Sequence, residues 1–250
     1  MEGPSLFLAK EQLEPFIGQK INQVAGNTKT PKERLLDKKL ESIISFGKQL
    51  FFQFDMFALR VHFMLFGSFE AFINEEKITG DYPRKNRVPR LALHFDKGEI
   101  IFYSCSIRFI EHSHIEDLCD FTIDIMSKTW DSNKALNKLQ SHPDVEIGDA
   151  LLDQTLFAGV GNIIKNESLL LAKILPTTKI QDLTVAELKR VIKYTHAYVF
   201  KFYAWRKKFE LKKHYKIYRQ SFCKECGNKV QKKWTGVRHR VSYMCPICQK

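Results

Sequence analysis

The sequence predicts an α+β fold, with a strand-rich N-terminal half, a helical middle and a small metal-binding hairpin at the C-terminus. Three observations predict this order. Short β-branched and aromatic runs with turn residues between them fill about the first 115 positions. Apolar residues adopt helical spacing from about position 130. Four cysteines in two C-x2-C pairs lie near the C-terminus.

The N-terminal half begins with a predicted helix from Ser5 to about Glu14, which ends near a proline. Strand patterns follow at Ser42–Phe54, which is folded around a glycine, at Ala58–Phe63, and at Leu91–Ser104, which is folded at Asp-Lys-Gly. Short strands at this spacing favour an antiparallel sandwich or barrel over a parallel sheet.

The helical part contains a short glycine turn between two helices. Ala150–Ala158 has apolar residues at helical spacing and is stopped by Gly159 and Gly161. Asn162 follows and is predicted to be the N-cap of a second helix that reaches about Leu171. Such a unit points backbone N–H groups outward, where an anion can bind.

A longer helix is predicted to open at Thr184, because Thr184-Val-Ala-Glu187 has the spacing of a capping box. Its continuation, Trp205–Lys213, is aromatic and basic and leads to the cysteines. The change from strand to helix patterns places a domain boundary between about residues 115 and 130.

The positive charge is concentrated at the C-terminus. The chain of 250 residues has a formal net charge of +12, and residues 201–250 contain 15 lysines and arginines against two glutamates. Such a patch suits a phosphate backbone, and a merely solvated basic tail is the alternative. No apolar run has the length of a membrane span, and the N-terminus lacks the pattern of a secretory signal. We therefore expect an intracellular protein without a membrane partner.

Four cysteines have the spacing C-x2-C-x18-C-x2-C, and they are Cys223, Cys226, Cys245 and Cys248. Each C-x2-C pair offers two thiolates to one tetrahedral ion, and the residues between the pairs can form a hairpin. A structural Zn²⁺ site is therefore predicted, with a disulfide or redox pair as the alternative. Cys105 and Cys119 lack such a pattern and are predicted to be small apolar residues.

Four segments, in this order, resemble one family. They are Met1-Glu2-Gly3-Pro4, Gly47-Lys48 in a strand hairpin, the glycine turn Leu156-Phe-Ala-Gly-Val-Gly-Asn162, and Arg240 followed by Cys245-Pro-Ile-Cys-Gln249. Together they resemble the formamidopyrimidine-DNA glycosylase / endonuclease VIII family across nearly the whole chain. The resemblance implies an N-terminal antiparallel β-sandwich (residues 1–120), a helix–two-turn–helix domain (121–215) and a zinc ribbon (216–250).

The resemblance also implies a chemistry. Members of the family flip a damaged base out of the duplex, because the sugar carbon is unreachable inside the stack. A chain-terminal amine then expels the base, forms a Schiff base and leads to strand cleavage by elimination. The implied partner is double-stranded DNA with a damaged base or an abasic site, bound by a monomer in a bacterial-type cytoplasm.

One position departs from the family pattern. The family begins with a proline, exposed once the initiator methionine is removed, but here no residue separates Met1 from Glu2. Either the activity is lost, or Met1, retained because a glutamate follows it, takes the place of that proline. A free α-amine has a reference pKa of roughly 7.7–8.0, so part of it is unprotonated near neutral pH. We favour Met1 as the nucleophile.

The other site residues come from the resemblance. Glu2 matches the acidic residue that handles protons at the sugar ring. Lys48 matches a lysine that contacts the DNA backbone near the lesion, although a lone strand lysine is usually a solvated edge. Asn162 and Arg240 match the pair that holds the phosphates flanking the flipped nucleotide, and Asn162 is alternatively only a helix cap.

The branch of the family is indicated by Met64, Leu65 and Phe66, which resemble the endonuclease VIII wedge that fills the hole left by the flipped base. Core packing of a strand is the alternative for these three residues. Arg108-Phe109, in contrast, resembles a pair from the other branch. The wedge favours oxidised pyrimidines over oxidised purines as the substrate.

Two other functions are compatible with the sequence. A paralogue that binds damaged DNA without cutting it would need every DNA-holding element but not the missing proline. An unrelated zinc-ribbon protein of transcription or translation would explain the C-terminus, but it leaves the Gly47-Lys48 hairpin and the glycine turn unexplained.

Overall fold

The computed structural model describes residues 1–80, 87–112 and 114–250. Two compact units are present. The first contains Met1 and residues 6–120, and the second contains residues 2–5 and 121–250. The first unit is built mainly of strands and the second mainly of helices. The protein is therefore α+β.

The first unit begins with most of helix α1 (Gly3–Leu13) and continues into two antiparallel sheets. The chain order of the strands is β1 (Ile21–Ala25), β2 (Ser42–Phe46), β3 (Gln49–Phe54), β4 (Phe57–His62), β5 (Ser68–Ile73), β6 (Glu76–Gly80), β7 (Leu91–Phe95), β8 (Gly98–Tyr103) and β9 (Ser106–Ile110). One sheet has the order β1-β7-β8-β5-β6 and the other β2-β3-β4-β9.

Side chains from both sheets form one buried core. Phe52 of β3 and Phe102 of β8 have no exposed surface, and their rings meet edge to face with centroids 5.5 Å apart. Phe63, next to them, is also buried. Because the two sheets share this core, the unit is a sandwich, one of the two architectures that the strand spacing favoured.

The tight turns of the sandwich lie where the turn residues predicted them. Strands β2 and β3 pair from Phe46 and Gln49 outward, and Gly47 between them has a φ of 56°. Strands β7 and β8 pair from Phe95 and Gly98 outward. Both hairpin predictions are confirmed.

The second unit contains four helices and a hairpin. They are α2 (Ser132–Gln140), α3 (Ile147–Leu152), α4 (Asn162–Ala172), α5 (Val185–Lys207), β10 (Gln231–Thr235) and β11 (Arg240–Met244). The capping box at Thr184 is confirmed: its hydroxyl accepts from the Glu187 N–H, and the Glu187 carboxylate accepts from the Thr184 N–H.

Two predictions about the glycine turn were wrong. Helix α3 ends at Leu152 instead of reaching residue 158, because the Asp153 carboxylate accepts from the N–H and the hydroxyl of Thr155 and closes a turn. Asn162 is the first residue of α4 instead of its N-cap, which is Gly161. Among the described residues, none of the helices has the length and apolar character that crossing a bilayer requires.

Candidate functional site

The N-terminal amine lies in the first unit, beside a turn of the sandwich. The Met1 nitrogen is 3.4 Å from the carbonyl oxygen of Met64, to which it donates. The Met1 side chain is partly buried against the sandwich core. The amine is thus held at a defined place by its own side chain and by the turn that follows β4.

The N-terminal amine is one of three positive charges that act on the side chain of His62. The pKa of His62 is lowered by burial first, and then by the positive charges of Arg60, the N-terminal amine and Lys48. Lys48 lies in the β2–β3 turn, and Gln49 next to it pairs with His62 across the sheet. The sandwich therefore brings Met1 and Lys48, which were both predicted from the sequence, into one basic cluster.

The predicted wedge forms the exposed turn between β4 and β5. Met64, Leu65 and Phe66 are 57%, 64% and 70% exposed. Phe63 before them is buried, and its carbonyl accepts from the N–H of Gly67 at 2.8 Å. The alternative of core packing is therefore wrong for these three side chains.

Phe109 occupies a different environment from the wedge. Its ring meets Phe57 edge to face at 5.2 Å, and the Arg34 guanidinium stacks over both rings. Arg34 also forms a bidentate salt bridge with Glu111. Phe109 is thus a packed side chain of the sandwich, while Arg108 next to it is exposed.

In the second unit, Glu2 caps helix α4. Its carboxylate accepts from the N–H groups of Ile163 at 2.7 Å and Ile164 at 3.2 Å. A Cβ on Gly161 would overlap that carboxylate, and the N–H of Gly3 donates to the Gly159 carbonyl at 2.8 Å. The glycine turn therefore leaves room for Glu2, and a helix N-terminus favours a negative charge at this place.

The two predicted phosphate-binding residues lie on neighbouring elements. The Asn162 side chain donates to the Val241 carbonyl of β11 at 2.9 Å, while its buried amide oxygen has no hydrogen-bond partner among the residues that the structure describes. Arg240 is the first residue of β11 and is half-buried. Asn162 thus connects α4 to the strand that carries Arg240.

Sequence reasoning missed four buried polar residues of α4, which are Lys165, Asn166, Glu167 and Ser168. Asn166 accepts from the Tyr243 N–H at 2.7 Å, and the Glu167 carboxylate accepts from three backbone N–H groups at residues 216–218. The signal available was a run of polar residues inside an otherwise apolar helix. Asn166 thus binds strand β11 of the hairpin, and Glu167 binds the segment that leads to it.

The four predicted metal ligands meet at one point. The sulfurs of Cys223, Cys226, Cys245 and Cys248 all lie within 4.8 Å of one another, and none forms a disulfide. A tetrahedral ion with zinc–sulfur distances of about 2.3 Å would separate its ligand sulfurs by about 3.8 Å. The cluster therefore has the dimensions of a four-thiolate metal site.

The basic C-terminal segment presents its charge to the solvent. All 15 lysines and arginines of residues 201–250 lie in the described part of the chain, and each is exposed or half-buried. The charge is therefore available to a polyanion at the surface of the second unit.

Comparison with known proteins places this geometry in a family. Residues 121–201 match the "Formamidopyrimidine-DNA glycosylase H2TH domain". The chain is 33% identical over 208 residues to endonuclease 8-like 3 of Xenopus laevis, covering 82% of this chain and 33% of that protein. It is 34% identical over 199 residues to endonuclease 8-like 2 of Mus musculus, covering 76% of this chain and 57% of that protein.

The first of these relatives is thus about three times as long as the stretch that this chain matches. Among the solved structures that share the fold over 100% of both chains are two DNA glycosylases. One is a viral DNA glycosylase, with a TM-score of 0.83 and 23% identity. The other is the formamidopyrimidine-DNA glycosylase of Lactococcus lactis with DNA containing an abasic site, with a TM-score of 0.84 and 24% identity. The chain belongs to the formamidopyrimidine-DNA glycosylase / endonuclease VIII family, on the endonuclease VIII-like side.

Proposed function

We propose that the protein is a base-excision repair DNA glycosylase and abasic-site lyase that uses the Met1 amine as its nucleophile. The observation that carries the proposal is the position of this amine, 3.4 Å from the carbonyl of Met64 at the start of the exposed wedge. An apolar wedge that replaces a flipped base would bring the exposed sugar close to the same turn. The endonuclease 8-like relatives support the same activity.

The reaction forms and breaks bonds at one sugar carbon. The lone pair of the unprotonated Met1 amine attacks C1′ of the flipped nucleotide, and the bond to the damaged base breaks, with the electron pair leaving on the base. Loss of a proton from nitrogen and opening of the sugar ring then give the Schiff base. Removal of a C2′ proton finally expels the 3′ phosphate by β-elimination.

Glu2, the next residue in the chain, is proposed to carry the protons at the sugar ring. The carboxylate is held at the N-terminus of α4 by two N–H donors, so its orientation is fixed before substrate binds. The Glu2 carboxylate can accept the proton lost from the nitrogen, donate it to the ring oxygen as the ring opens, and accept another proton during elimination.

The DNA contacts are proposed from the positions of four groups. Lys48, Asn162 and Arg240 bind phosphates of the damaged strand, and Met64–Phe66 fill the vacated space in the duplex. Each of the three phosphate-binding side chains can donate a hydrogen bond to a phosphate oxygen. The partner would be double-stranded DNA with a damaged base or an abasic site, bound by a monomer, and the wedge favours oxidised pyrimidines.

The four cysteines are proposed to hold a structural Zn²⁺, which would make residues 216–250 a zinc ribbon. Residues 1–120 would then be the catalytic sandwich and 121–215 the helix–two-turn–helix domain. When bound, the ion supplies tetrahedral crosslinking of the two C-x2-C pairs and no reaction step. A bacterial-type cytoplasmic location stays a prediction, and the relatives named above are animal proteins.

Borohydride trapping tests the proposal. The protein is incubated with a duplex containing one abasic site, the Schiff base is reduced, and the linked peptide is mapped by mass spectrometry. The expected result is one adduct at the amine of Met1. Protein whose N-terminal amine has been acetylated is the matched control and should form no adduct.

Two outcomes would overturn the nucleophile assignment. An adduct on a lysine such as Lys48 would move the chemistry to another amine. Retained affinity for abasic-site DNA without any adduct would make the protein a damage-binding relative that lacks the lyase reaction.

A further inference from the structure

Helix α4 contains a buried cation that the proposed reaction does not use. The side chain of Lys165 is 1% exposed, and its ammonium donates to the Ser242 hydroxyl of β11 at 2.7 Å. Ser242 itself has no exposed surface. Burial of a charged group is unfavourable unless other groups compensate for it.

The compensating charges connect Lys165 with the proposed DNA-binding site. Burial lowers the pKa of Lys165 to about 8, the carboxylates of Asp149, Glu2 and Glu146 oppose that shift, and the charge of Arg240 adds to it. The ammonium of Lys165 and the guanidinium of Arg240 are therefore electrostatic neighbours. The two like charges are tolerated because acidic groups lie around them.

A chain of hydrogen bonds leads from Lys165 to the strand position of Arg240. The Ser242 hydroxyl is 2.6 Å from the Thr235 hydroxyl, and Thr235 is the ladder partner of Arg240. The Thr235 hydroxyl also donates to the Arg240 carbonyl at 3.4 Å. Lys165 thus reaches both strands of the hairpin at the end that carries Arg240.

Asp149 holds the adjoining turn of the same hairpin. Its carboxylate accepts from the Val237 N–H at 2.7 Å. Gly236 has a φ of 67°, and a Cβ there would overlap the Asp149 carboxylate. The turn and the strands that flank Arg240 are therefore fixed by one buried acid and one buried base, Asp149 and Lys165.

We propose that Lys165 is a positioning residue for Arg240, which it holds through Ser242 while adding a second positive charge behind the phosphate site. The inference rests on the proposed function, in which Arg240 binds a DNA phosphate. A buried charge is screened less by salt than a surface charge, so it strengthens the attraction for a phosphate without touching it.

The test is a double-mutant cycle between Lys165 and Arg240. Affinity for a duplex with a tetrahydrofuran abasic analogue is measured over a KCl series for wild type, K165M, R240Q and the double variant. We expect R240Q to reduce the slope of log affinity against log salt by about 0.9. K165M should weaken binding about 3- to 10-fold in wild type and less than about 2-fold in the R240Q background.

Two further variants separate charge, hydrogen bond and fold. K189M removes the same charge from an exposed position on α5 and should change affinity less than about 2-fold. S242A removes the hydrogen-bond acceptor but keeps the buried ammonium, so it should weaken binding less than K165M and also lose its effect in R240Q. Thermal unfolding and bound zinc are measured for every variant.

The outcomes distinguish the positioning role of Lys165 from the phosphate contact of Arg240. Equal effects of K165M in the wild-type and R240Q backgrounds, or an effect no larger than that of K189M, would overturn the role of Lys165 alone. Unchanged affinity in R240Q would overturn the phosphate contact and, with it, this inference. If K165M does not fold, the S242A variant is the test. Additive effects of S242A and R240Q on DNA affinity would then overturn the proposal.

Discussion

The carboxylate of Glu2 lies on the N-terminus of helix α4, where it accepts a hydrogen bond of 2.7 Å from the N–H of Ile163. A second bond of 3.2 Å runs from Ile164 to the other carboxylate oxygen. The residue proposed to carry protons in the reaction is therefore also the cap of the helix that follows the glycine turn.

Replacing Glu2 by glutamine should affect stability and chemistry together. E2Q keeps one acceptor oxygen but loses the charge that the helix N-terminus favours, so the free energy of unfolding should fall by about 1 kcal/mol. Single-turnover strand cleavage should fall much more than affinity for abasic-site DNA. E14Q, at an exposed position after α1, is the control and should change neither. Normal cleavage in E2Q would remove Glu2 from the reaction.

Gly161→Ala should act on the site through Glu2 alone. Gly161 has a φ of −122°, which alanine adopts readily, but the added Cβ would overlap the Glu2 carboxylate. We expect G161A to fold and to lose most of its cleavage activity. In an E2A background the same substitution should have little further effect on the free energy of unfolding. An equal loss of stability in both backgrounds would contradict this explanation.

Leu65→Ala should weaken action on duplex DNA without destabilising the protein. Leu65 is 64% exposed, so its truncation should change the free energy of unfolding by less than about 0.5 kcal/mol. Excision from a duplex should be slowed, and base opening can be followed with 2-aminopurine opposite the lesion. M56A, 70% exposed in the β3–β4 turn, is the matched control. If M56A and L65A behave alike, the wedge assignment fails.

His196 should make the protein less stable in mild acid. Its ring stacks on Trp130 with centroids 5.8 Å apart, and burial lowers its pKa below the ordinary value of 6.5. The unfolded chain therefore takes up a proton more readily than the folded one, so stability is lost as pH falls below 6.5. Urea unfolding of H196Q should show a shallower loss than wild type. A wild-type pH dependence in H196Q would contradict this explanation.

Removal of the metal should unfold the C-terminal hairpin while the sandwich stays folded. A strong chelator, or C223S, should abolish zinc binding and reduce affinity for DNA, because the proposed ion would crosslink the two C-x2-C pairs. Metal content and near-UV circular dichroism are the measurements. C119S changes a cysteine outside the cluster and should retain one zinc per chain. Full DNA affinity in metal-free protein would contradict a structural role.

Local patterns in the sequence were sufficient for much of the fold. The hairpins at Gly47 and at Asp96–Gly98 and the capping box at Thr184 were predicted because each depends on residues a few positions apart. The cluster of four cysteines was predicted from two short C-x2-C pairs that a hairpin of 18 residues can bring together. Turn conformation and capping are short-range requirements, and each C-x2-C pair is itself a short-range pattern.

The tertiary structure alone decided how polar groups far apart in the chain combine. Asn162 was predicted to be the N-cap of α4, but the N-cap is Gly161. The side chain that accepts from the N–H of Ile163 belongs to Glu2, 161 residues away in the chain. No local pattern in the sequence marks Lys165 as buried, and its hydrogen-bond acceptor is Ser242, 77 residues away. Each of these residues has several possible partners in the unfolded chain. Only packing, which removes water and leaves one partner within hydrogen-bond distance, selects among them.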